Sequence, residues 1–198
     1  IANHFNSKGG DQPLFGRFQP PARSSEVQRV QQAQVVHNFV SSILAEDASA
    51  RVVVLGDLND FDWSPALVTL RGDSLFNLAN LLPENERYDY VYEGNSQSLD
   101  HILVSSSLLN AAEPMLDIVH VNAEFADQIS DHDPLVARLL LNHQHLVVQI
   151  DAALVALGHA TLADMQILGH ERHLGDDGLL VVQHQFARLA GTQQFLTE

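Results

Sequence analysis

The chain has 198 residues, 45% of them hydrophobic, a net charge of −15 and no Cys. This is enough apolar sequence for one core, but it holds no run of about 18 apolar residues that would span a bilayer, and without Cys there are no disulfides or thiolate metal sites. The acidic balance argues against broad nonspecific binding to nucleic acid, whose phosphates are met by Lys and Arg, yet it leaves open a metal-dependent site in which the cation supplies the positive charge.

The first residue is Ile1, and no signal-peptide pattern follows it, which reads as a processed chain or a fragment of a longer one. "IANHF" has the texture of a strand end before a Gly- and Pro-rich loop from Ser7 to Arg23. Residues 1–30 hold four basic groups (Lys8, Arg17, Arg23, Arg29) against Asp11 and Glu26, whereas residues 46–135 hold seventeen acids against three arginines. The basic stretch is either a solvated loop or a contact for substrate phosphate. A helix is expected from Ser24 to about Asp47, with Val27, Val30, Ala33, Val36, Val40 and Ile43 as its apolar stripe.

"RVVVLGDLND" reads as a strand apolar on both faces and ended by Gly56. Short helices are expected over Ser64–Leu70, with Ser64 and Pro65 as N-cap and first-turn residue, and over Leu75–Leu82. "YDYVYEG" and "LDHILVS" read as two strands joined by "EGNSQS", and "MLDIVHV" and "LVARLLL" as two more. Strands mixed with helices at these lengths predict an α/β layered fold. Beyond Leu141 the texture changes: residues 142–198 carry six of the eleven histidines and no Pro, Lys or Trp. The expected organisation is therefore a domain over 1–141 and an unassigned segment over 142–198. "LVVQIDAALVALGHATLADMQIL" fits a strand and helix or one helix, and "DDGLLVVQHQFARLAG" a turn and strand. His143 with His145, and His170 with His173, read as scattered surface residues, because zinc needs three or four converging ligands.

Three stretches can carry chemistry. "GDLND" puts Asp57 and Asn59 just past a buried strand, where strand ends gather ligands. If strand geometry persists, both side chains point the same way; the alternative is an Asx turn bonded to nearby backbone. In "LDHILVS" alternation sends Asp100 to one face with Ile102 and Val104, and His101 to the other with Leu99 and Leu103. A carboxylate on an apolar strand needs a partner, and His132 is a candidate, while His101 reads as structural. In "SDHDPL", Asp131 suits a hard cation and His132 can take a proton from water, but the tripeptide also fits a polar loop. Asp133 precedes Pro134, which disfavours helix there and sets an extended exit.

"NHF", "GDLND", "LDHILVS" and "SDHDPL" together resemble, in order, the endonuclease/exonuclease/phosphatase superfamily of DNase I-like metal-dependent phosphodiesterases. "ANHFNSKGGDQPLFGRFQPPARSSEVQRVQQAQVVHNFV" more narrowly resembles its bacterial extracellular nuclease branch, and the likeness covers residues 1–141. The resemblance implies a portion of a two-sheet α/β sandwich, mainly its second sheet with flanking helices. It implies that His4 bonds the scissile phosphate, Asp57 handles a proton or orients the nucleophile, and Asn59 stabilises phosphate charge. Asp100 would orient His132, the general base; Asp131 would join the shell of a divalent metal, Mg²⁺ or Mn²⁺; and Lys8 and Arg17 would approach substrate. The substrate would be nucleic acid, as DNA, and the protein secreted or periplasmic. The family's metal-holding Asn and Glu have no counterpart in these residues. The isolated chain is thus expected to lack the N-terminal half, bind metal weakly and show little activity. One sheet face is expected to be exposed and apolar unless the tail or another chain covers it. The alternatives are a lipid or sugar-phosphate phosphodiesterase or phosphatase of the same superfamily, and a non-catalytic binding module.

Overall fold

A computed structural model describes residues 1–13, 15–141, 144–150 and 179–181, the last two segments by backbone only. In chain order the elements are α1 (Glu26–Glu46), β1 (Val53–Asp57), α2 (Pro65–Arg71), β2 (Leu75–Asn77), β3 (Tyr90–Tyr92), β4 (Asn95–Gln97), β5 (Asp100–Ser105), α3 (Ser106–Ala111), β6 (Met115–Ile118), β7 (Leu135–Leu141), β8 (Gln144–Ile150) and β9 (Leu179–Val181).

Two sheets and a layer of helices make the body. The first sheet has the order β1-β5-β2 with both pairings antiparallel, and β1 meets β5 in a register that sets Asp57 opposite Asp100. The second has the order β6-β7-β8-β9, antiparallel except for β8 with β9. This is a mixed, mostly antiparallel α/β sandwich: the residue pattern predicts the α/β layering, and the family resemblance implies the sandwich. Successive side chains of β5 divide between two cores, as period-two alternation requires. Leu103 joins Val52, Val54 and the buried faces of α1 and α2, while Ile102 and Val104 join Leu135, Ala137 and Leu139 of β7. The sheet face expected to be exposed is therefore covered within the described residues, since β6 and β7 lie over it. Fully burying one such Leu or Val contributes about 1.5–3 kcal/mol, so the double-faced burial of β5 is a large share of the driving force.

Several elements depart from their sequence expectation for identifiable reasons. The face that α1 buries is Arg29, Ala33, Val36 and Val40; Val27 is exposed, and a buried arginine takes the stripe's first position. Gly56 does not end β1. It lies within the strand at φ 130°, and a Cβ there would stand 1.9 Å from the carbonyl oxygen of Asn3. The glycine lets residues 1–5 run parallel against β1, with Asn3 N–H donating to Leu55 O (2.9 Å) and Phe5 N–H to Asp57 O (2.9 Å). Residues 75–82 begin as β2 and only then turn into a short 3₁₀ segment, because Leu75–Asn77 pair with β5. The turn-rich "EGNSQS" contains β4, so β3 pairs with β4 in a hairpin instead of with β5. Ser64 caps α2 as expected, accepting from Leu67 N–H at 3.3 Å.

In the tail, β8 pairs with β7 along seven residues and β9 lies beside β8. The readings for His143, His170 and His173 fall outside the described residues, as does the partition of side chains around His145. No helix among the described residues is long and apolar enough to cross a membrane.

Candidate active site

The site forms where the C-terminal end of β1, the N-terminal end of β5, the parallel N-terminal segment and the loop before β7 converge. Asp57 and Asp100 face each other across the β1–β5 ladder. Neither carboxylate has room to hydrate, being 3% and 0% exposed. His132 is likewise buried, and its Nδ1 donates to Asp100 Oδ2 at 3.1 Å. His4, carried in by the strand-like pairing of residues 1–5, places Nε2 3.4 Å from Asp57 Oδ2. Asn59 donates its backbone N–H to Asp57 Oδ1 (2.8 Å) and its amide to Asp57 Oδ2 (2.9 Å). Sequence motifs scattered over 128 positions thus meet: His4, Asp57, Asn59, Asp100 and His132 share one cleft.

"GDLND" reconciles its two readings. Strand geometry does not persist beyond Asp57, since Asn59 takes the left-handed φ of 52°. An Asx-type bond forms, and that same turn brings the amide back onto the carboxylate. Asn59 also donates to Phe5 O at 3.1 Å, tying the turn to the segment that carries His4.

His101 faces the other way, as alternation predicts. Its Nε2 donates to Asp60 O (2.8 Å), and its Nδ1 accepts from Asn77 Nδ2 (2.9 Å). Burial holds its pKa below the usual value, which suits a neutral structural imidazole. Asp133 is structural in its contacts too. One oxygen accepts from the N–H groups of Val121 (3.0 Å), Asn122 (2.7 Å) and Ala123 (3.0 Å), and the other from His120 Nδ1 (3.0 Å). These bonds pin the loop on which His132 rides.

Asp131 is exposed, but its negative charge is felt by Asp57. Lys8 is committed to Asp60 (2.9 Å) and lies 4.2 Å from the centre of the Phe61 ring. Arg17 is exposed and lies over Phe18. Most of the N-terminal basic stretch is thereby matched: Arg29 bonds Asp60 (2.8 Å) and Asp11 (3.3 Å) and also contacts Ser25 Oγ, and Arg23 pairs with Glu26 (3.2 Å).

Asp89 and Tyr90 are the residues that motif reading missed. Asp89 is fully buried; its two oxygens accept from Leu99 N–H at 3.1 Å, and its carbonyl accepts from Asp133 N–H at 2.7 Å. It joins the start of β5 to the His132 loop, with its Oδ1 3.7 Å from His132 Nδ1. Tyr90 sets its ring 4.8 Å from that of His132. A signal was present: Asp89 is a lone carboxylate in an aromatic β run, the same anomaly that singles out Asp100.

Crowding around one imidazole shifts the titrations of His132, Asp57 and Asp89. Burial pulls the His132 pKa down, but its bond to Asp100 and the charges of Asp100, Asp57 and Asp89 outweigh this and lift it to about 9. Burial and the charge of Asp100 push Asp57 up to about 7. Burial first, then Asp100, drives Asp89 well above the usual carboxylate range. Burial lowers His4. Such a centre calls for additional positive charge. Asp57, Asp100 and His132 each present a ligand atom, all within 4.8 Å of one another. Asp100 Oδ1 is buried without a hydrogen-bond partner. The donor set and the orphaned oxygen fit a divalent cation.

The antiparallel sandwich carries a His–Asp centre in a cleft at strand ends. The chain belongs to the endonuclease/exonuclease/phosphatase family, whose sequence profile matches residues 1–133. No curated protein sequence matches it. Similar solved structures include a truncated Caenorhabditis elegans TDP2, at 17% identity over 69% of this chain and 51% of that one, with a TM-score of 0.49. Staphylococcus aureus beta toxin aligns at 20% identity over 69% and 50%, with a TM-score of 0.44. A Bacteroides thetaiotaomicron mannosyl-6-phosphatase aligns at 17% over 63% and 46%, with a TM-score of 0.40. The chain therefore spans about half the length of these structures.

Proposed function

We propose that the chain is part of a metal-dependent phosphodiesterase of the bacterial extracellular nuclease branch, secreted or periplasmic, cleaving nucleic acid, with DNA as the preferred polymer. The observation that carries this reading is the Asp100–His132 pair set against Asp57, Asn59 and His4 in one cleft. A phosphodiester needs an activated water, relief of anionic charge and a stabilised leaving group. Asp100 holds His132 through Nδ1, which leaves Nε2 to take a proton from water. His4 supplies a hydrogen bond to a phosphate oxygen; the Asn59 amide, bonded to Asp57 and Phe5 O here, would turn from Asp57 to stabilise phosphate charge; and Asp57, able to hold a proton near neutral pH, exchanges one with the reacting oxygens.

A divalent ion, Mg²⁺ or Mn²⁺, would be held by the carboxylates of Asp57 and Asp100, the latter through its unpartnered Oδ1, with Asp131 joining from the exposed loop as the family resemblance implies. When bound, it supplies charge stabilisation on the phosphate and offsets the carboxylate field. Without that offset His132 keeps its proton at neutral pH, and the base role requires the proton to leave. Asp89 and Asp133 hold the dyad in place from the two ends of the loop.

The experiment joins the chain to an upstream half carrying the family's Asn and Glu and assays DNA with Mg²⁺ or Mn²⁺, with His132→Ala as control. DNA cleavage lost by about 10²-fold or more in His132→Ala is the expected result. The net charge of −15 favours a second reading, a lipid or sugar-phosphate hydrolase, since an acidic surface repels a polyanion. Turnover of small phosphate esters without cleavage of DNA would decide for it. Cleavage that is indifferent to His132 would overturn both.

A further inference from the structure

Beside the cleft lies a groove of about 660 Å³ lined by Phe15, Phe61, Trp63, Arg87, Tyr92 and Gln97, among others. Three of its aromatic side chains are turned to water: Phe15 is 79% exposed, Trp63 60% and Tyr92 51%. Scattered apolar residues on a surface need no explanation, but large rings gathered round one groove do.

The walls are ordered. Phe61 and Trp63 stack with centroids 5.2 Å apart and planes within 16°, and Tyr92 stacks on Tyr90 at 6.4 Å and 9°. One wall reaches the cleft and the other follows it in sequence, Phe61 lying two residues beyond Asn59. Tyr90 lies against His132, and Lys8, bonded to Asp60, caps the Phe61 ring. The polar groups between the walls are amides and hydroxyls, from Asn80, Asn95 and Gln97 to Ser96 and Ser98, with the exposed Glu93 carboxylate and with the Arg87 guanidinium held in place by Leu82 O (2.7 Å). The Asp62 carboxylate at the rim is occupied by Arg71 (3.0 Å) and Asn77 (2.8 Å). Flat aromatic faces with hydrogen-bonding groups at their edges suit a planar heterocycle with a polar rim, and an acyl chain would leave those groups unpaired.

We propose that this groove binds an unpaired nucleobase of the substrate strand, flanking the phosphate held in the cleft, with Trp63 and Tyr92 as its stacking platforms. The inference rests on the reading of the adjoining cleft as a phosphodiester site. A base inside a duplex is already stacked and paired, so the groove selects single strands over duplexes.

Trp63 is the sole tryptophan, which makes its emission a report on this groove alone. The 198-residue chain is titrated with a short single-stranded oligothymidylate, the same strand annealed to its complement, and ribose 5-phosphate. Saturable quenching by the single strand is expected, with binding at least about fivefold weaker for the duplex and for the base-free sugar phosphate. Tyr92→Ala, on an exposed hairpin, should weaken the single strand by a similar factor. Equal binding of ribose 5-phosphate, no response to the strand, or no effect of Tyr92→Ala would overturn the proposal. Turnover in the protein joined to its upstream half tests the other reading separately. Quenching with no turnover keeps the groove and counts against hydrolysis; turnover with no Trp63 response does the reverse.

Discussion

Two buried polar clusters sit only a few residues apart in this chain, and they are built on opposite principles. On the helix side, Arg29 and Lys8 face Asp60 and Asp11, two cations for two carboxylates, with Arg29 0% exposed. Between the sheets, Asp57, Asp89 and Asp100 crowd one imidazole, and Asp100 Oδ1 has no partner. The first cluster is balanced and satisfied, so it needs nothing from outside and locks the 7–24 loop onto α1. In the second, burial and mutual repulsion make Asp57 and Asp89 retain their protons far above the usual carboxylate range, and the neighbouring carboxylates lift the His132 pKa against its burial, so the crowding is relieved by protons that a bound cation would displace. Charge balance, more than burial, separates a structural cluster from a site here.

The comparison breaks most sharply at Arg29. Arg29→Ala leaves Asp60 and Asp11 buried with only Lys8 between them, and should cost about 3–5 kcal/mol in chemical denaturation. A loss below 1 kcal/mol would mean the cluster is not the lock described. Gly56→Ala comes next, because its Cβ would collide with the Asn3 carbonyl. We expect a loss of about 1–3 kcal/mol, with the resonances of His4 shifted as its segment is pushed off β1. Unchanged His4 signals would argue that the segment is not positioned by this pairing.

Substitutions within the carboxylate cluster are distinguished by a pH signature. Asp57 titrates at about 7 in the folded chain, above its unfolded value of 3.8, so it binds its proton more tightly when folded. It therefore withdraws stability as pH rises from its unfolded pKa to about 7. Asp57→Asn should leave stability nearly unchanged at pH 4 and raise it at pH 8. His132, with a folded pKa of about 9 above 6.5, contributes stability that is full below pH 6.5 and lost as pH rises through about 9. His132→Ala should thus destabilise at pH 6 more than at pH 10. Denaturation midpoints at these pH values are the measurement, and profiles parallel to the parent's would remove this account of the cluster.

Motif order made the cluster legible because each of its side chains sits in a short local pattern. Alternation along "LDHILVS" was enough to send Asp100 and His101 to opposite faces, since strand geometry has period two whatever surrounds it. Arg29 was not legible: its place in the helical stripe depends on Asp60 and Asp11, 31 residues ahead and 18 behind. Asp89 stood out as a lone carboxylate in an aromatic run, but its role was not legible, since its hydrogen bonds to Leu99 and Asp133 exist only once the sheets pack.

The sequence by itself determined the long helix α1 and the short α2, the buried strands, the family and the five residues of the cleft, because these follow from local periodicity and from ordered motifs, whereas β2 and α3 escaped it. Only the tertiary structure decided that Gly56 makes room for the strand bearing His4 and that an Asx turn folds Asn59 back onto Asp57. It also decided which polar cluster is balanced and which is not. Charge balance and close approach are sums over residues far apart in the chain, and they acquire a value only when the backbone brings those residues within a few ångströms.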